Sequence, residues 1–127
     1  MNKILVVDDD RECVEMMTHI LEGEGYPVVS AMDGEAGLKA AREQCPDLVI
    51  LDVEMPVKNG FEVLYEMRED QQLRDIPVII LTVISRQGGS DLAESDAARY
   101  AAKELTSYVE KPFEPEALLS TVAEALS

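Results

Sequence analysis

Short apolar runs and helical periods alternate along this chain. Ile4, Leu5, Val6 and Val7 form the first run, and the runs over 48–51 and 78–81 repeat it. Four consecutive apolar residues without polar alternation read as strands covered on both faces. A mixed run over 26–31 and the pair Tyr108-Val109 read as two further strands. Between the runs the period becomes that of an amphipathic helix. Over 11–22, Val14, Met17, Thr18 and Leu21 share one face and Glu12, Glu15, His19 and Glu22 another, with Gly23 and Gly25 as stop signals. Asp33 is placed to cap a helix running to about Gln44, with Pro46 beyond it. Asn59-Gly60 leads into a helix carrying Phe61, Leu64, Tyr65 and Met67. After Gly88-Gly89, a fourth helix carries Ala93, Ala97, Tyr100, Ala101 and Leu105, and a fifth fills 114–126 after Pro112. Strand followed by helix, five times, predicts an α/β protein: a doubly wound, five-stranded parallel sheet with helices on both faces and right-handed crossovers.

In an open parallel sheet, chemistry gathers at the carboxyl ends of the strands. The first strand ends in Asp8, Asp9 and Asp10, and the third in Asp52 with Glu54 just past it. The fourth ends in Thr82 and the fifth in Lys111-Pro112. If these strands lie side by side, carboxylates, a hydroxyl and a lysine converge at one edge. Crowded carboxylates repel one another, and taking them out of water is costly. Carboxylate oxygens suit a hard cation, with Mg²⁺ the natural candidate. Phosphoryl transfer needs little more: an oxygen nucleophile in line, a cation on the phosphoryl oxygens, and a lysine and a hydroxyl for the rest.

The motifs VVDDD, LVILDVEMPVKNG, ILT and YVEKPF, in this order at these strand ends, resemble the receiver domain of two-component response regulators, of the single-domain, chemotaxis-regulator kind. The resemblance covers the whole chain and implies one domain over 1–127, with a flavodoxin-like fold and strand order 2-1-3-4-5. It implies Asp52 as phosphoacceptor, with Asp8 and Asp9 as the acidic pair at Mg²⁺. Asp9, Asp52 and the backbone carbonyl of Glu54 are then the direct metal ligands, and Thr82 and Lys111 bind the phosphoryl group. Tyr108 becomes an aromatic that swings inward on activation, although as a residue it reads equally as strand core. Lys111-Pro112 is expected cis, and Asp10 is expected to start the first helix. The implied function is a phosphorylation-activated switch, catalysing its own phosphorylation and dephosphorylation and not acting as a conventional enzyme. The implied partners are a histidine kinase or phosphotransfer protein and a downstream protein. The responding surface is the fourth helix, fifth strand and fifth helix, which is also the face for any homodimer. Two alternatives stay open: a pseudo-receiver that binds partners without phosphorylation, and a small Asp-nucleophile, Mg²⁺-dependent phosphatase.

A net charge of −15 argues against nucleic acid or an anionic membrane as partner. No run approaches membrane-spanning length. Cys13 and Cys45 form no C-x-x-C pair and read as small buried hydrophobes in helices, which fits a reduced, cytoplasmic setting. His19 has three glutamates on its own helix face and reads as a solvated surface residue. The six methionines read mostly as packing. Gly37 in the second helix costs roughly 1 kcal/mol against alanine.

Overall fold

The computed structural model describes residues 2–53, 55, 58–82 and 106–127, with Thr82 and Thr106 described by backbone alone. The helix expected from Ala93 to Leu105, Gly88-Gly89 before it, and Glu54 lie outside the described residues. The strands are β1 (Ile4–Val7), β2 (Val28–Ala31), β3 (Leu48–Asp52), β4 (Val78–Thr82) and β5 (Thr106–Glu110). The described helices are α1 (Arg11–Gly23), α2 (Gly34–Gln44), α3 (Gly60–Glu69) and α4 (Pro115–Leu126). All strand pairs are parallel, in the order β2-β1-β3-β4-β5.

The apolar runs divide between two cores because successive residues of a strand face opposite sides. Leu5, Val7, Val49, Leu51, Val78 and Ile80 meet Leu38 and Ala41 of α2 and Val63, Leu64 and Met67 of α3. Ile4, Val6, Leu48, Ile50, Ile79 and Leu81 meet Val14, Met17 and Leu21 of α1 and Leu118 and Val122 of α4. The residues of β1 and β3 and residues 78–81 are thus buried on both faces, which is why no polar alternation shows in those runs.

Several local expectations change. β5 spans five residues and not two: its polar Thr106, Ser107 and Glu110 pair in the ladder although they break the apolar pattern. β2 begins at Val28, and its Ser30 is exposed, as an edge strand allows. Cys45 is exposed, just past the end of α2, in the left-handed conformation (φ 48°) that closes the helix. Cys13 is half-buried. Met16, Met32 and Tyr65 are exposed, whereas Met17, Met55 and Met67 are buried. His19 is exposed as expected. No described helix is long and apolar enough to cross a membrane.

Candidate functional site

Register brings the acidic strand ends to one level. Val7 of β1 pairs with Leu51 of β3, so Asp8 follows beside Asp52. Asp52 pairs with Leu81 of β4, and Leu81 with Val109 of β5. Asp8 and Asp52 are the buried charged residues among those described, while Asp9 is exposed. One oxygen from each of Asp8, Asp9 and Asp52 lies within 4.8 Å of the others.

Lys111 follows β5 directly, and its peptide bond to Pro112 is cis. Its side chain crosses the end of β4, about 10 Å for two strand spacings. Nζ reaches Asp52 Oδ1 at 2.8 Å and Asp8 Oδ2 at 3.3 Å. Asp8 Oδ1 accepts the Asp10 N–H at 2.9 Å. Asp10 itself caps α1, accepting the Glu12 N–H at 3.1 Å, and takes no place in the cluster.

The electrostatics follow from one cation among three carboxylates. Burial pushes Asp52 up to about 6 from its ordinary 3.8; the hydrogen bond and charge of Lys111 oppose this, and the charges of Asp8 and Asp9 add to it. Burial alone would lower Lys111, but its hydrogen bond to Asp52 and the charges of Asp52 and Asp8 outweigh that and raise it. Cys13, from the first turn of α1, is pushed up to about 12 by burial and by its hydrogen bond to Asp8. The thiol is therefore a neutral donor toward the cluster.

Hard oxygen donors with an excess of buried negative charge fit a small divalent cation. Asp8, Asp9, Asp52 and Lys111 thus come together as the sequence predicts. Thr82 sits one register step beyond Asp52 by its backbone, with its side chain outside the described residues. Tyr108 pairs with Ile80, is half-buried against the α2–α3 core, and its hydroxyl is raised by that burial. Neighbours missed from the sequence are Cys13 and Gly60. A Cβ on Gly60 would stand 2.5 Å from the Asp52 carbonyl oxygen, so only glycine fits there. The Asn59-Gly60 turn signal located that glycine without showing what it approaches.

Comparison with known proteins gives the same answer as the geometry. The family model described as the response regulator receiver domain matches residues 4–123. Protein PilH of Pseudomonas aeruginosa is 33% identical over 127 residues, covering 100% of this chain and 99% of PilH. The transcriptional regulatory protein CpxR of Klebsiella pneumoniae is 40% identical over 122 residues, covering 96% of this chain and 48% of CpxR. This chain spans about half the length of CpxR and of the similar DNA-binding response regulator MtrA of Mycolicibacterium smegmatis. The chemotaxis protein CheY4 of Vibrio cholerae superposes with a TM-score of 0.86 at 34% identity, covering 99% of each chain. Sheet order, acidic strand ends and relatives agree that this chain belongs to the response regulator receiver domain family of two-component signalling.

Proposed function

We propose that this chain is a phosphorylation-activated switch, one receiver domain over residues 1–127, whose phosphoacceptor is Asp52. The observation that carries the reading is the buried Asp52 carboxylate, held 2.8 Å from Lys111 Nζ and clustered with Asp8 and Asp9. A carboxylate closing a buried strand beside two others has little structural use, since each raises the cost of ionising the next.

The donor is the phosphohistidine of a kinase or phosphotransfer protein, the partners of this family. An Asp52 oxygen attacks phosphorus; the P–N bond breaks, the imidazole nitrogen keeps the electron pair, and an acyl phosphate forms. Lys111 then pairs with the phosphoryl oxygens instead of the bare carboxylate. Asp8, Asp9 and Asp52 would hold Mg²⁺, with the Glu54 backbone carbonyl as a further ligand. When bound, Mg²⁺ supplies positive charge where phosphoryl charge builds up. Loss of the signal breaks the new bond: water attacks phosphorus, the bond from phosphorus to the Asp52 oxygen breaks with its electron pair returning to the carboxylate, and inorganic phosphate and a proton leave. Thr82 and Tyr108 are the switching residues of this reading, a downstream protein is the reader, and the cytoplasm is the compartment.

The test is intact mass after incubation with Mg²⁺ and acetyl phosphate. Wild type gains one phosphoryl group, labile as an acyl phosphate, and Asp52→Asn gains none. A stable adduct, or one mapping to His19 or a hydroxyl residue, would overturn the mechanism. Turnover of a free phosphomonoester would favour the phosphatase reading instead.

A further inference from the structure

Lys58 lies between β3 and α3, in the segment that leads from Asp52 into α3. Its Nζ lies 3.0 Å from Glu35 Oε2 in the first turn of α2, and it also donates to Glu66 Oε2 in α3. The lysine side chain is only 17% exposed, against 69% for Glu35 and 40% for Glu66. A single exposed ion pair contributes about 0–1 kcal/mol, so these two contacts add little stability on their own, and what they hold in place matters more.

The main chain around Lys58 is packed just as closely. A Cβ on Gly34, the first residue of α2, would stand 2.9 Å from the Lys58 carbonyl oxygen and 3.0 Å from the Lys58 Cβ. Asn59 then caps α3 reciprocally with Glu62: the Glu62 N–H donates to Asn59 Oδ1 at 3.0 Å, and the Asn59 N–H to Glu62 Oε1 at 2.8 Å. Gly60 lies against the Asp52 main-chain carbonyl and donates its N–H to Val53 O at 3.0 Å. Lys58, Asn59 and Gly60 thus form a packed path from α2 and α3 to the backbone that carries the Asp52 carboxylate.

We propose that Lys58 is a positioning residue: by tying α2 to α3 across this segment, it fixes the Asp52 main chain and so the carboxylate's place beside Asp8 and Asp9. The inference rests on the reading of that cluster as the Mg²⁺ centre.

The sign of one measurement separates positioning from other roles. Removing a positive charge from the protein lowers its Coulomb repulsion of a cation, so by itself it leaves cation binding unchanged or tighter. A purely structural bridge lowers the melting temperature and leaves metal affinity alone. Loss of positioning weakens binding, against the Coulomb effect. Calorimetric titration with Mg²⁺ alone should therefore show Lys58→Met weaker than wild type by about tenfold, the low end of the roughly 10–100-fold typical when a group orienting a metal ligand is lost. Lys58→Arg, which keeps the charge and the donors, should restore affinity. Should Lys58→Met not fold, Lys58→Gln carries the same comparison with a neutral amide donor group retained. Equal or tighter Mg²⁺ binding in a folded charge-removing variant overturns the positioning role alone. A wild type that binds no Mg²⁺ overturns the functional reading and this inference with it.

Discussion

At Asp52 a single buried carboxylate sets a pH dependence of stability. Its carboxyl is lifted from 3.8 to about 6 first by burial, with the charges of Asp8 and Asp9 reinforcing the rise against Lys111. A carboxyl raised in the folded state binds its proton more tightly there than in the unfolded chain, so stability falls as pH rises from about 4 to about 6. Above pH 6 the ionised group costs the metal-free fold up to about 3 kcal/mol. Asp52→Asn should therefore be more stable than wild type in metal-free buffer at pH 7, and the gap should close as pH falls to 4. Thermal melts of the two proteins across that range check this, and a gap that widens toward acid would contradict it. Asp9 supplies the complementary case. It is the exposed member of the cluster, so its loss leaves the core intact and would remove one donor from the proposed cation site. Mg²⁺ at tenfold excess over its dissociation constant should add about 1.4 kcal/mol to wild type, a rise of a few degrees in melting temperature. Asp9→Asn should lose most of that rise; an equal rise in both proteins would remove Asp9 from the metal set.

At the scale of elements, Gly37 shows how packing overrules propensity. Alanine in its place would gain roughly 1 kcal/mol of helix preference. Yet a Cβ there would lie 2.9 Å from both γ-methyls of Val7, so α2 approaches β1 only because Gly37 has no side chain. Overpacking of this kind typically costs about 1–3 kcal/mol, and Val7 is β-branched and stiff. Gly37→Ala should therefore destabilise by about 1 kcal/mol net. Val7→Ala should cost less in the Gly37→Ala background than in wild type, because the new methyl fills the space. Urea melts of the four proteins form the cycle; a stabilised Gly37→Ala would show that α2 simply shifts outward.

Across the whole molecule, Lys111 links the acidic centre to the sheet edge. It follows β5 without an intervening residue and bridges Asp8 and Asp52. If, as proposed, a phosphoryl group on Asp52 takes Lys111 from these partners, β5 is the element directly attached to the displaced residue. Among the described residues, α1 meets the centre through its cap and Cys13. Hydrogen exchange over 106–110 should therefore change more than over 11–23 when Asp52 is phosphorylated or carries a beryllofluoride mimic. A change confined to residues flanking Asp52, with β5 unaltered, would favour a module that binds partners without switching.

The sequence by itself determined the element order, the parallel sheet and the acidic strand ends, because buried strands must be apolar where helices cover both faces and polar where they emerge. It placed Asp10 as a helix start, since capping is local chemistry. It underestimated β5, whose polar residues are held by ladder pairing and not by burial pattern. It misjudged Cys45, because a position at a predicted helix end does not state how far the neighbouring element reaches. It read Gly37 as a cost, because the methyl groups that forbid a side chain there belong to a residue thirty positions earlier. Only the tertiary structure decided that Lys111 reaches past β4 to Asp52, that Cys13 donates to Asp8, and that Lys58 is shared by α2 and α3. Each of these joins residues distant in the chain, and their meeting depends on register and helix packing, which no local pattern encodes.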